Sequence, residues 1–499
     1  MSKILIIGGG WAGCGAALIA AKQGAEVALL EKTDLLLGAG NAGGIMRNNG
    51  RFTAAEENIA LGAPELFQIT DRYAVHKNVD FPGHEHASFY DITKVEPAVR
   101  RLLTERGIDI RFGCRAVDVR WEELSDQEKV SGGKGKNGNK RILAVKTVSS
   151  GASFHGSGEK DHGGWDGDHD GWLEADAFVE ATGSSGPMGN CMRYGNGCAM
   201  CVQRCPAFGP RVSLTARAGA ADLAARRESG RPGALSGSCK LEKKSLSRKL
   251  QKKLSREGFV VIPLPPELIQ KGKLKEKVCQ QYALDVFAEN VIIIDTGEAK
   301  LMSPFFPLEK LRSVEGLENV RFLDPCAGGQ GNSVRYMSVG VREATMRAEG
   351  FENLFLAGEK SGFFVGHTEA ITTGNLAGYN AARCASAAAA AFAASARPTA
   401  SDPAAAAGEV SGSGADAGHD PDADLLILPR TLATGELLAY AQEALLEEDG
   451  ISRRFTFAGG EFFQRMKELG LYRMDPKEIR KAIEQAGLSG IYSGLRSGL

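Results

Sequence analysis

The chain opens on a continuous apolar run, Ile4-Leu5-Ile6-Ile7, and passes through three glycines into Ala12–Gln23, which is small and apolar on most of its faces. A second apolar run, Glu26–Glu31, follows at once. A short apolar run bounded by glycine reads as a buried strand, and a longer one as a buried helix. The pattern therefore predicts strand Lys3–Ile7, helix Ala12–Gln23 and strand Glu26–Glu31. Thr93–Arg106 carries apolar residues at helical spacing, and Ile108–Phe112 reads as the strand after it. Residues 1–122 thus alternate strand and helix, which implies parallel βαβ units.

Beyond residue 122 the pattern is interrupted. Residues 124–140 and 149–171 are rich in Gly, Lys, Asp and His and lack periodicity. They read as long loops flanking a strand, Arg141–Val148, in a hairpin or meander. Glu174–Thr182 returns as a buried strand. A helix is expected at Ala216–Arg227, and α/β character resumes near residue 290. Residues 385–424 are Ala, Gly, Ser, Asp and Pro and read as a linker. Helices are expected near 434–448, 460–469 and 476–486.

The fold class expected is α/β: a Rossmann-like domain with a parallel sheet and a β-meander, an inserted domain, and a C-terminal helical domain. The boundaries drawn are 1–190 and 325–384 for the two parts of the Rossmann-like domain, 191–324 for the cysteine-rich and basic insert, 385–424 for the linker and 425–499 for the helical domain.

Composition narrows the function classes. Among 499 residues, Lys+Arg is 60 and Asp+Glu is 61, a net charge of −1, so no global field draws the chain to nucleic acid or membrane. The longest apolar tract, Ala385–Ala396, is far short of the ~20 residues of a membrane span. The N-terminus lacks the pattern of a secretory signal, and the ten cysteines fit a reducing, cytoplasmic setting as thiols or ligands.

The first chemical motif is Gly8-Gly9-Gly10-Trp11-Ala12-Gly13. Gly8, Gly10 and Gly13 give G-x-G-x-x-G between a strand and a helix. Gly8 serves the tight turn, Gly10 the approach of a pyrophosphate, and Gly13 the packing of helix on strand. The N–H groups of the helix start at Trp11 and Ala12 face the phosphates. Glu31, followed by Lys32, ends the second strand, where an acid accepts hydrogen bonds from a ribose diol.

Two later segments choose among dinucleotides. Ala177–Gly183 is an apolar strand ending in Ala181-Thr182-Gly183. Asn353–Glu359 is another, ending in Gly358-Glu359 and leading to Gly366-His367-Thr368-Glu369-Ala370 and Gly374. These segments resemble the two-dinucleotide-binding-domain flavoproteins. Asn353–Arg383, with Leu37–Ile45 and its Gly43-Gly44 pair, resembles the glucose-inhibited division protein A family of tRNA-modifying flavoproteins. The resemblance implies bound FAD reduced by NAD(P)H, with Ala-Thr-Gly beside the dinucleotide and Glu359 on the ribityl chain. It also implies that the helix starting near Gly366 and Ala370 faces the isoalloxazine. It leaves open whether RNA is the substrate.

The chain departs from that family at Cys191, Cys198, Cys201 and Cys205-Pro206, whose spacing resembles ferredoxin cysteine runs. Four thiolates so close can hold a 4Fe-4S cluster; zinc, a redox dithiol and buried thiols are the alternatives. A flavin next to a cluster suggests a relay from NAD(P)H to an acceptor that is either a small molecule or a redox partner protein. Cys326, in a glycine-rich loop, is a candidate nucleophile or a packed thiol. His367 is a candidate donor to flavin or substrate, or a structural histidine at a helix start. Cys14 is expected in the core. Lysines and arginines between Lys240 and Lys277 form either a solvated helix face or a contact for tRNA or an acidic partner. A non-catalytic electron-transfer subunit, and a homodimer, are further readings.

Overall fold

The computed structural model describes residues 1–124, 140–149, 170–186, 209–236, 239–276, 279–302, 308–323, 333–395 and 425–494. The central layer is a five-stranded parallel sheet. Its strands are β1 (Lys3–Ile7), β2 (Glu26–Glu31), β3 (Asp109–Phe112), β4 (Ala177–Glu180) and β5 (Leu354–Leu356), in the order β5-β4-β1-β2-β3. Ile6 is in register with Leu29 on one side and Val179 on the other. Strands β1, β2, β4 and β5 are buried along nearly their whole length, which explains their apolar runs, while the edge strand β3 is half-buried and alternates polar with apolar residues.

Helix α1 (Trp11–Lys22) and helix α2 (His367–Ser395) cross on one face of this sheet. The crossing is made by small residues. A Cβ at Gly374 would run into the Ala12 carbonyl, and one at Gly378 into the Ala16 carbonyl. Glycine there lets two buried helices touch backbone to backbone. Cys14 lies in this core, fully buried, as expected. Helix α2 runs eleven residues into the expected linker, because its Ala385–Ser395 end is alanine-rich and alanine has the highest helix propensity. The rest of that stretch, from residue 396, lies outside the described residues.

The opposite face carries the expected meander: Cys114–Glu123, Lys140–Ser149 and Gly171–Glu174, antiparallel in that order. The expected strand Glu174–Thr182 is thus two strands. A turn at Ala175-Asp176 separates the last meander strand from β4.

Residues 44–91 depart from the βαβ reading. They hold two helices, Gly50–Ala60 and Glu65–Arg72, and a three-stranded antiparallel sheet of Ile45–Met46, Ala74–Phe81 and His84–Tyr90. Pro82-Gly83 makes the hairpin turn, with Gly83 at φ +74°. Against it packs a four-stranded antiparallel sheet built from Cys239–Leu241, Phe259–Pro263, Asn290–Thr296 and Glu298–Leu301. The helix expected at Ala216–Arg227 is instead one turn, Leu214–Arg217, capped by Ser213. Asp222–Ala224 then pairs with Ser338–Gly340, so sheet pairing overrides helix propensity.

The three C-terminal helices are Ala433–Ala444, Gly460–Glu468 and Pro476–Gln485. They dock on the core through buried carboxylates. Glu57 accepts from the Ala433 and Thr434 N–H groups at 2.9 and 2.8 Å, which satisfies free donors at a helix start. Among the described residues, no helix is long and apolar enough to cross a membrane.

Candidate functional site: an elongated cavity from the glycine turn to helix α2

One cavity runs along the carboxyl ends of β1, β2 and β4 to the start of α2, the place where open parallel sheets bind ligands. Gly8, Gly10, Trp11, Ala12, Glu31, Lys32, Gly43, Ala181, Thr182, Gly183, Gly358, Glu359, Gly366, His367 and Ala370 all line it. Gly13, Gly44 and Gly374 stand behind the wall. A Cβ at Gly13 would enter the Gly8 carbonyl, one at Gly44 would meet Thr296, and Gly374 serves the helix crossing. Cys326, Cys191, Cys198, Cys201 and Cys205 lie outside the described residues.

At the glycine turn the geometry suits a pyrophosphate. Gly8 has φ +105° and donates to the Leu30 carbonyl at 2.8 Å, which ties the turn to β2. A Cβ at Gly10 would meet nothing within 4 Å, so the backbone there is open to the cavity. The Glu31 carboxylate accepts from Gly9 N and Thr33 N, both at 2.9 Å. Burial nevertheless raises its pKa, and those donors offset only part of the effect.

Over this turn folds the loop Leu37–Gly44. A Cβ at Gly43 would collide with the His367 ring, and one at Gly40 with the Trp11 ring. The glycines of that motif are therefore required by close approach to two aromatic groups. The His367 nitrogens lie 3.1 Å from the Ile45 and Gly40 carbonyls. Burial and the charges of Arg51 and Lys300 push its pKa down to about 3. Both nitrogens face backbone carbonyls, of which a neutral ring can donate to only one, and the ring also lines the cavity.

The residues present fit FAD. Glu359 has one oxygen paired with Arg335, while its Oε2 is buried without a partner. Trp11 Nε1 is likewise a buried, unpartnered donor in the wall. A buried polar atom without a partner costs on the order of 1–3 kcal/mol, so an acceptor and a donor of this kind are matched by a ligand rich in hydroxyls and carbonyls. Arg211, also in the wall, donates to Thr182 Oγ1 at 3.0 Å and to the Ser338 carbonyl at 2.9 Å.

Behind the wall lies a buried ionic cluster that sequence reading missed. The Lys360 ammonium donates to Ser213 Oγ at 2.8 Å and to Asp222 Oδ1 at 2.6 Å. Glu180, the last residue of β4, accepts from the Leu214 and Thr215 N–H groups. Burial raises the Asp222 pKa, but the Lys360 charge and hydrogen bond outweigh it and leave the group at about 2.

At the far end, Arg51, Cys279, Gln281, Tyr282, Lys300 and Met302 complete the cavity. None was singled out from the sequence, because none sits in a spaced motif. Arg51 is buried and pairs with Glu369 at 3.1 Å, and it donates to the Val365 carbonyl at 2.9 Å. Glu369 also accepts from Thr456 Oγ1 and Phe457 N, so the start of α2 is bolted to the C-terminal domain. Among the described residues, no group of three or more His, Cys, Asp or Glu side chains is placed to hold a metal ion.

The comparisons agree with this geometry. The FAD dependent oxidoreductase family matches residues 3–149, and the glucose inhibited division protein A family matches residues 305–389. Two structures of Aquifex aeolicus GidA, in crystal forms II and I, resemble the fold at TM-scores of 0.56 and 0.51. Both are 15% identical; they cover 97% of this chain and 76% and 78% of theirs. No curated protein sequence matches the chain. The N-terminal part of the chain is thus similar to the FAD dependent oxidoreductases and its late segment to glucose inhibited division protein A, on a fold that resembles GidA.

Proposed function

We propose that the chain holds FAD along this cavity and passes electrons between NAD(P)H and a substrate or acceptor that enters beside Lys300 and Cys279. The observation that carries the reading is the single cavity joining the open glycine turn to the start of α2. FAD, when bound, supplies a two-electron acceptor able to release electrons singly. The free N–H groups of α1 bind and orient the pyrophosphate. Glu31 takes the ribose diol, and Glu359 Oε2 takes a ribityl hydroxyl. Ile45, Tyr282, Met302 and Phe364 exclude water from the far end.

The four cysteines Cys191, Cys198, Cys201 and Cys205 complete the proposal as ligands of a 4Fe-4S cluster. Support comes from the flanks of their segment: Ser184 on one side and Pro210 and Arg211 on the other line the cavity. Anaerobic purification, iron and sulfide analysis and EPR after reduction test for the cluster. Flavin without iron or labile sulfide, even after reconstitution, would remove the cluster and leave the flavin reading intact.

A second reading, tRNA modification, draws on the family resemblance and one surface. Helix Arg248–Glu257 exposes Arg248, Lys249, Lys252, Lys253 and Arg256, with Leu254 as its buried anchor. Salt-dependent binding of tRNA that weakens in a K252E/K253E/R256E variant supports it; no binding at low salt removes it.

A further inference from the structure

We propose that Lys300 is the proton-carrying residue of the cavity's far end, exchanging a proton with the heteroatom of a carbonyl, imine, alcohol or amine substrate as hydride moves. This rests on the flavin reading above. The first support is position. Strand Glu298–Leu301 lies between Asn290–Thr296 and Cys239–Leu241, with Lys300 in register with Ile294 and Lys240. Ala299 and Leu301 enter the core of the inserted sheet with Val291 and Ile293. The alternate face carries Ile292, Ile294 and Met302, which pack on Ile45 and Phe89. Lys300 shares that apolar face, is 7% exposed, and lines the cavity. One of its cross-strand neighbours on that face is Lys240, so the buried amine stands between apolar side chains and a like charge, an arrangement without a packing rationale.

The second support is its company. Three other buried cations near the cavity each have a carboxylate: Arg51 has Glu369, Arg335 has Glu359 and Lys360 has Asp222. Lys300 has none among the described residues. Its Nζ donates to the Gly43 carbonyl, in the loop that covers the glycine turn. The charged and titratable groups that face it come from four elements. They are Lys240 on the neighbouring strand, Arg51 on helix Gly50–Ala60, His367 at the start of α2, and Cys279 before the turn Gln280–Tyr282. Burial lowers the ammonium, Cys279 opposes this, and Lys240 and Arg51 add to it, which leaves Lys300 near 7. A group poised there gives and takes protons at working pH.

The step balances. When a carbonyl or imine carbon takes hydride from the reduced flavin, the heteroatom takes its proton from the Lys300 ammonium, which becomes an amine and is reprotonated by water. In the reverse direction the amine accepts the proton of an alcohol or amine while its carbon yields hydride to the oxidised flavin. NAD(P)H is the class of reductant that resets the cycle.

Competitive acetylation of the full chain with trace acetic anhydride, read by peptide mass spectrometry from acid to alkaline pH, measures the amine directly. Lys300 is expected to react with a midpoint near 7, about three pH units below an ordinary lysine, and saturating FAD is expected to slow Lys300 while leaving Lys249 and Lys252, outside the cavity, unaffected. Titration alongside the surface lysines, no reaction at any pH, or indifference to FAD in a chain that binds it overturns the proposal. If equilibrium dialysis finds no FAD bound, the flavin reading falls, and the labelling midpoint still decides whether Lys300 carries a labile proton. Turnover with NADH and benzaldehyde, whose carbonyl carbon takes hydride while its oxygen takes a proton, separates proton transfer from mere charge. K300M and K300R are both expected to lower kcat by about 10²-fold with KM for NADH unchanged, and to lose the pH limb near neutrality. Rescue by arginine, or no change in the limb, overturns it.

Discussion

At the dinucleotide end of the cavity, the wall is made by neighbours in sequence: one strand, one glycine turn and one helix start supply Gly8 to Ala12, and the next strand supplies Glu31. At the far end, four separate stretches meet: Arg51 from helix Gly50–Ala60, Cys279 to Tyr282 from the inserted segment, Lys300 and Met302 from the antiparallel sheet, and His367 from α2. The first end offers mostly backbone N–H groups and glycines. The second offers side chains held in a dry setting by one another. A phosphate recognised by backbone can be reached by a local motif, whereas a reacting centre needs groups converging from distant parts of the chain.

The largest expected effect falls on the local end. Gly13→Val places a side chain in the Gly8 carbonyl and leaves no room for α1 on β1. Loss of cooperative folding, read by circular dichroism and by absence of bound flavin, is expected; a folded, flavin-loaded G13V would break the packing argument. Next comes the far end. Arg51→Met leaves Glu369 as a buried charge beside Phe457 N and Thr456 Oγ1. Removing one partner of a buried pair costs about 3–5 kcal/mol, so urea denaturation should show a lower midpoint and proteolysis should release the C-terminal helices. An unchanged midpoint would mean that the pair does not tie the two parts together.

A smaller effect concerns acid. His84 and His367 are both held near 3 in the folded chain, by burial first and then by the Arg51 charge. Their unfolded forms protonate near 6.5. The unfolded state therefore binds more protons between those values, and stability falls as pH drops from about 6.5 toward 3. His84→Gln, measured by urea unfolding at neutral and acid pH, should flatten part of that loss. The smallest effect is expected at the surface. K252E/K253E/R256E, on an exposed helix face, should leave FAD affinity and the unfolding midpoint unchanged within about 0.5 kcal/mol.

The same contrast explains what was legible in the sequence. The parallel sheet, the glycine turn, Glu31, the Gly358-Glu359 turn, the meander and the C-terminal helices all follow from local periodicity and motif spacing. The hairpin at Pro82-Gly83 was hidden because its strands alternate weakly and sit between two helices. Ala216–Arg227 misled because Gly219, at φ +78°, ends the helix and Asp222 joins a sheet edge supplied by residues 338–340. Lys300 and Arg51 carried no motif. Only the pairing of Glu298–Leu301 between two strands shows that a lysine occupies an apolar face. His367 was found by its place at a helix start, but its ring partners depend on glycines more than 300 residues away in sequence.

The central claim is that the open backbone at Gly10 is where the dinucleotide lies. Fluorescence titration of FAD into the full chain and into Gly10→Val tests it most directly, because a Cβ at Gly10 meets no protein atom within 4 Å. The flavin-free variant should keep the wild-type unfolding midpoint while FAD affinity drops by about 10²-fold or more, a loss of roughly 2.7 kcal/mol. Wild-type affinity in G10V, or no saturable FAD binding by the wild-type chain, would contradict it.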